Sequence, residues 1–134
     1  MWLVDASVWV SLVERESAYR EGAVALIREQ APSLSVLDLT LYEVANAIGV
    51  KQGDAKEANR VNRLLLRCCG NRVLPVKAEL VEAALQIAAD HGLTAYDAAY
   101  VAAARHHGLT LVSADIRDLV SKGLAVTPDA ADYP

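Results

Sequence analysis

Apolar residues in this chain fall into short unbroken runs separated by longer stretches with a helical repeat. Trp2-Leu3-Val4 is such a run, ending at Asp5, and reads as a buried strand. Ala6, Ser7 and an apolar stretch to Val13 follow at once. Residues 18–30 have helical spacing, with Ala18, Gly22, Ala25 and Leu26 sharing sides and charged residues opposite; Pro32 stops that helix. Leu34 to Leu37 reads as a second strand and Leu41 to Lys51 as a helix. Gly53-Asp54 opens another helix, running to Cys69 and ended by Gly70. Val73-Leu74-Pro75-Val76 is a third strand, and its proline suits a sheet edge because it has no amide hydrogen to donate. Helical spacing returns from Ala78 to His91, closed by Gly92, and from Ala95 to His107, closed by Gly108. Leu109 to Val112 is a fourth strand, a short helix follows Asp115, and Leu124 to Thr127 offers a fifth strand. No internal repeat or low-complexity segment interrupts the chain before the Pro- and Asp-containing tail at 128–134.

Strands that alternate with helices predict an α/β fold: a parallel sheet of four to five strands with helices on both faces. The 134 residues suit one domain spanning 1–134. Phe is absent and aromatics are 5% of the chain, so Ala, Val and Leu must fill the core. Trp2 and Trp9 are expected in that core or at a dimer contact.

In such sheets, sites form just beyond the carboxyl ends of the strands. Asp5 ends the first strand there, and Asp115 follows the fourth in Val112-Ser113-Ala114-Asp115. Glu43 lies one turn into the helix after the second strand, and Asp97 in the first turn of the helix before the fourth. Two like charges about 4 Å apart repel by roughly 4 kcal/mol at an effective dielectric of 20. Clustered carboxylates therefore take up protons or lose stability unless a cation joins them. An all-oxygen donor set selects a hard ion, Mg2+ or Mn2+, over zinc.

Local explanations compete. Thr40-Leu41-Tyr42-Glu43 and Thr94-Ala95-Tyr96-Asp97 both match the helix capping box, and Asp115 can be a turn residue or N-cap. Capping explains two acids, not four at one edge. Asp118, one turn beyond Asp115, reads as a solvated surface acid that could add a ligand.

The net charge is −4, from 17 acids against 13 bases, so nucleic-acid binding needs a local basic surface or a cation. Lys56, Arg60, Arg63 and Arg67 form one helical stripe, opposite Val61, Leu64, Leu65 and Cys68. It is either a solvated face or an RNA contact. Cys68 and Cys69 are adjacent and have no other partner, which suits a reducing compartment. A basic leader and a long apolar span are both missing, so a cytoplasmic location with no membrane is expected. His91, His106 and His107 precede helix-ending glycines and suit the helix dipole better than a metal.

Four segments carry a resemblance. Val4-Asp5-Ala6-Ser7, Leu41-Tyr42-Glu43-Val44-Ala45-Asn46-Ala47, Thr94-Ala95-Tyr96-Asp97-Ala98-Ala99-Tyr100 and Val112-Ser113-Ala114-Asp115 resemble the PIN-domain family, most of all its VapC toxin branch. The resemblance implies a metal-dependent endoribonuclease whose Asp5, Glu43, Asp97 and Asp115 hold one or two divalent ions. Ser7 and Thr94 fall on secondary polar positions, and Ser113 stands where a threonine is common. Hydrolysis leaving a 5′-phosphate and a 3′-hydroxyl, a VapB-like antitoxin partner and a homodimer are also implied. Two rivals stand beside it. One is a phosphatase or phosphotransferase with Asp5 as nucleophile; the other is a non-catalytic PIN-like module that binds protein or nucleic acid.

Overall fold

The structure is a computed structural model describing residues 1–130; residues 131–134 of the expected tail lie outside the described residues. Strands β1 (Trp2–Val4), β2 (Leu34–Leu37), β3 (Val73–Leu74) and β4 (Thr110–Val112) form one parallel sheet in the order β3-β2-β1-β4. The helices between them are α1 (Ala6–Ser11), α2 (Arg20–Gln30), α3 (Leu39–Val44), α4 (Ala55–Cys69), α5 (Ala78–His91) and α6 (Ala95–His107). α3 runs on into a wider π-type segment, Ala45–Lys51, and a second such segment spans Ile116–Val120.

Side chains alternate across the sheet with the strand period of two. Trp2, Val4, Leu34, Val36 and Val112 join a core on one face, where Trp9, Leu26, Ile48 and Leu65 meet them. Leu3, Leu37 and Leu111 point to the other face, against α5 and α6. Residues 98–104 of α6 are all buried, which demands small side chains and accounts for the alanines there. Both tryptophans belong to the core.

The expected fifth strand is reduced to one parallel bridge between Val112 and Val126. Val126 donates to the Leu111 carbonyl and its own carbonyl accepts from Ser113, both at 2.9 Å. Pro128 then turns the chain into a 3-10 helix, Pro128–Ala130, which ends the extension. α3 begins at Leu39, two residues before the expected start, because the Asp38 carboxylate accepts from the Leu39 amide at 2.7 Å. α2 starts at Arg20, after a turn in which the Ser17 hydroxyl accepts from the Tyr19 amide at 3.2 Å. β3 lies at the sheet edge as its neighbouring proline suggested, with Pro75 just beyond the strand.

The chain steps outward from β1 to β2 to β3, then returns to place β4 on the other side of β1. In open α/β sheets a reversal of this kind marks where a site forms, here beyond the carboxyl ends of β1 and β4. Asp5 and Asp115 follow those two strands.

Half-buried Arg72 closes the opposite end of the neighbouring layer. Its guanidinium donates to the carbonyls of Leu34 at 2.7 Å, Ala31 at 2.9 Å and Cys68 at 2.8 Å. Removing it leaves three carbonyls, one in the last turn of α4, without their charged donor. We expect Arg72→Ala to cost about 2–4 kcal/mol in urea unfolding, with Arg72→Lys restoring only part, because an ammonium lacks the guanidinium fork. Equal stability of Arg72→Lys and wild type would contradict that.

Candidate active site

Asp5 is only 4% exposed, yet well provided with donors. Its Oδ1 accepts from the Ser7 amide at 3.1 Å and the Ser7 hydroxyl at 2.5 Å; its Oδ2 accepts from the Ser113 hydroxyl at 2.5 Å. Each serine has one hydroxyl proton, so both are spent on Asp5, and the 3.2 Å between the two hydroxyl oxygens is close approach. Those oxygens also accept, Ser7 from the Ala114 amide at 2.8 Å and Ser113 from the Asp115 amide at 2.9 Å. The end of β1 and the turn after β4 are thereby locked together.

Glu43 comes from α3. The capping-box reading of Thr40 and Glu43 is corrected here, because Asp38 caps α3 and leaves Thr40 within the helix. Thr40 is fully buried, and its hydroxyl lies 2.8 Å from the Tyr100 hydroxyl of α6. Tyr100 in turn donates to Glu43 Oε1 at 2.6 Å, so Glu43 is held by a residue 57 positions away. Asp97 does occupy a capping box in part: its amide donates to the Thr94 hydroxyl at 3.1 Å. Asp115 caps the Ile116–Val120 segment, its Oδ1 accepting from the Asp118 amide at 3.0 Å. Capping therefore sets where these acids stand and does not remove them from the site.

Asp97, Asp115 and Asp118 each present an oxygen within 4.8 Å of the others, a grouping that could hold a metal ion. Asp118, expected as a solvated acid that could add a ligand, is a half-buried member of the cluster, because its amide donates to Asp115 Oδ1 at the start of the π-type segment. The electrostatics link all five acids. Burial raises the Asp5 carboxyl to about 7, the Ser113 and Ser7 hydroxyls oppose that rise, and the charge of Glu43 adds to it. Burial also raises Glu43; the Tyr100 hydrogen bond lowers it, and the charge of Asp97 raises it further. Asp97 is raised by burial, then by Asp115 and Asp118, and eased by Thr94 and Lys122.

The protein supplies little positive charge here. Lys122 gives its ammonium to the His91 carbonyl at 2.7 Å, and Arg117 stands 3.9 Å from Asp118. Among the described residues, no Lys or Arg ion pair reaches Asp5, Glu43, Asp97 or Asp115. Lys56, Arg60, Arg63 and Arg67 are exposed on α4, where Arg60 pairs with Glu57. Tyr100 and the role of Thr40 were missed in sequence; the only local signal was a tyrosine three residues after Asp97.

A family model described as the PIN domain matches residues 2–121. The chain belongs to the PIN-domain family. Within that family it is of the VapC type. Ribonuclease VapC3 of Pyrobaculum aerophilum is 39% identical over 133 residues, covering 94% of this chain and 98% of its own length. Exonuclease VapC9 of the same organism is 31% identical over 128 residues, or 90% of this chain and 84% of the relative. A chain in a toxin–antitoxin complex from Klebsiella pneumoniae superimposes with a TM-score of 0.72 at 20% identity, over 96% of this PIN domain and 98% of that chain, a likeness of fold alone. No helix among the described residues is long and apolar enough to cross a membrane.

The raised Asp5 carboxyl gives this PIN domain a pH signature. The folded form keeps that proton up to about 7, whereas the unfolded carboxyl loses it near 3.8. Folded protein therefore binds more protons in this window, and stability from Asp5 falls as pH rises through it. We expect metal-free wild type to lose melting temperature relative to Asp5→Asn between about pH 4 and pH 7, with Mn2+ reversing the loss. Parallel profiles for the two proteins would show that burial does not set the Asp5 proton.

Proposed function

We propose that the chain is a metal-dependent endoribonuclease that hydrolyses RNA phosphodiester bonds, as the toxin of a VapBC-type toxin–antitoxin pair. The observation carrying this reading is the grouping of Asp97, Asp115 and Asp118, whose oxygens lie within 4.8 Å of one another, with Asp97 adding to the charge at Glu43 and Glu43 to that at Asp5. Support also comes from relatives named ribonuclease and exonuclease and from a neighbour that is a toxin–antitoxin complex. All 134 residues are read as one nuclease unit acting in the cytoplasm.

The donor set fits a hard divalent ion, Mg2+ or Mn2+. It consists of carboxylate oxygens that repel one another, with Arg117 reaching only Asp118, at 3.9 Å. Asp5 Oδ1 already takes two hydrogen bonds, but Oδ2 takes one and keeps a lone pair for a ligand bond. Asp5, Asp97 and Asp115 would hold the ion, with Asp118 adding a further oxygen and Glu43 serving a second ion or the attacking water. When bound, the ion supplies positive charge that acidifies water and neutralises the scissile phosphate.

The chain's own groups divide the remaining work. Ser7 and Ser113 fix the Asp5 carboxylate, and Thr94 fixes the helix start that carries Asp97. Tyr100 orients Glu43, whose raised carboxyl suits it to take a proton from water. Attack at phosphorus breaks the bond to the 3′ oxygen, leaving a 3′-hydroxyl and a 5′-phosphate. A VapB-like antitoxin and a second copy of the chain complete the expected assembly. On α4 the groove of Lys56, Arg60 and Arg63 also contains Asp54 and Glu57, which favours a solvated face over an RNA track.

We expect Asp5→Asn and Asp97→Asn each to lower Mn2+-dependent RNA cleavage by at least about 100-fold, and Tyr100→Phe by about 10–100-fold, chiefly in kcat. Activity of Asp5→Asn equal to wild type would remove Asp5 from the chemistry. A circular single-stranded RNA separates internal from terminal attack: the endonuclease linearises it, whereas an exonuclease leaves it intact.

A further inference from the structure

Tyr42 and Tyr96 are 82% and 61% exposed, while Trp2, Trp9 and Tyr100 are buried. The two exposed rings line one cavity of about 350 Å³, together with Leu39, Glu43 and Asn46. That volume falls in the range of small-ligand sites, about 300–1,000 Å³. One wall comes from α3 and the other from α6, and each tyrosine directly precedes an acid of the site: Tyr42 before Glu43, Tyr96 before Asp97.

We propose that this cleft is a subsite for one unstacked nucleobase of single-stranded RNA. The proposal rests on the nuclease reading for its place along the substrate. Glu43 belongs both to the cleft and to the acid cluster, so the two share a wall. Exposed aromatic faces accept any base by stacking, and single-stranded RNA is recognised through bases that are free to splay out. Leu39 gives an apolar floor, and the Asn46 amide offers a donor and an acceptor to a base edge. Stacking needs no positive charge, which suits a chain of net charge −4 with little basic surface at this edge.

A protein partner covering this face would extend farther. Val50 is 73% exposed, one turn past Asn46 on the same continuous helical stretch, and does not line the cleft. A docked helix or second copy would cover Val50 as well; a nucleobase would not.

The test uses a short oligoribonucleotide carrying 2-aminopurine, whose fluorescence falls on stacking. It is titrated into full-length Asp5→Asn protein with Mn2+, so that binding is read without cleavage. Tyr42→Ala and Tyr96→Ala, each added to that background, are expected to weaken affinity roughly ten-fold and abolish quenching. Tyr42→Phe and Val50→Ser should keep both. Unchanged affinity and quenching in the two alanine variants would overturn the proposal. So would a pattern in which Tyr42→Ala, Tyr96→Ala and Val50→Ser all disrupt self-association or partner binding while quenching persists. If wild type cuts no RNA yet quenching depends on both rings, the subsite stands and the nuclease reading falls.

Discussion

Two serine hydroxyls, one from α1 and one just past β4, close on a single buried carboxylate. Through Asp5 they join the ends of the two central strands, and the rest of the site is arranged around that join. A carboxylate in so dry a place is costly unless it is hydrogen-bonded and a positive charge stands near it. The serines meet the first need. Their own oxygens then order the backbone of Ala114 and Asp115, so the hydroxyls that hold Asp5 also place the next acid. The sheet order makes this geometry available, because β4 returns beside β1 and not beside β3.

From that centre the acids extend outward as a connected series. Asp5 feels Glu43, Glu43 feels Asp97, and Asp97 feels both Asp115 and Asp118. Each charge makes the next harder to ionise, and the cations nearby are otherwise occupied or distant. The fold thus holds a concentration of negative charge that an outside cation relieves. Native proteins accept such local instability where function requires it. On the proposed reading the same feature reconciles an acidic chain with a polyanionic substrate: the charge that attracts phosphate is one the protein would bind, not one it encodes.

Much of this was legible in the sequence because strands and helices announce themselves by period. β1 ending at Asp5, the glycine-terminated α5 and α6, and the edge position of β3 all follow from local pattern. The fifth strand was not so legible: residues 124–127 carry an extended, apolar pattern, but only Val126 finds a partner before Pro128 turns the chain. Thr40 through Glu43 matched a capping motif letter for letter, yet Asp38 took the cap and freed Glu43 for Tyr100. No local rule foretells a hydrogen bond across 57 residues. For Asp118 the sequence left a solvated acid and a further ligand both open, since its approach to Asp97 depends on how the π-type segment after Asp115 winds. Topology gave the expectation of four acids at one edge. The fifth, and the tyrosine that orients Glu43, required the packed structure.

The central claim is that these carboxylates exist together in order to hold a hard divalent cation. Anomalous diffraction at the manganese edge, from crystals of the full chain equilibrated with Mn2+, tests it most directly. The account predicts a peak bounded by oxygens of Asp97 and Asp115, with Asp5 or Asp118 completing the set. Manganese bound only elsewhere, or no peak beside ordered Asp97 and Asp115 side chains, would contradict it.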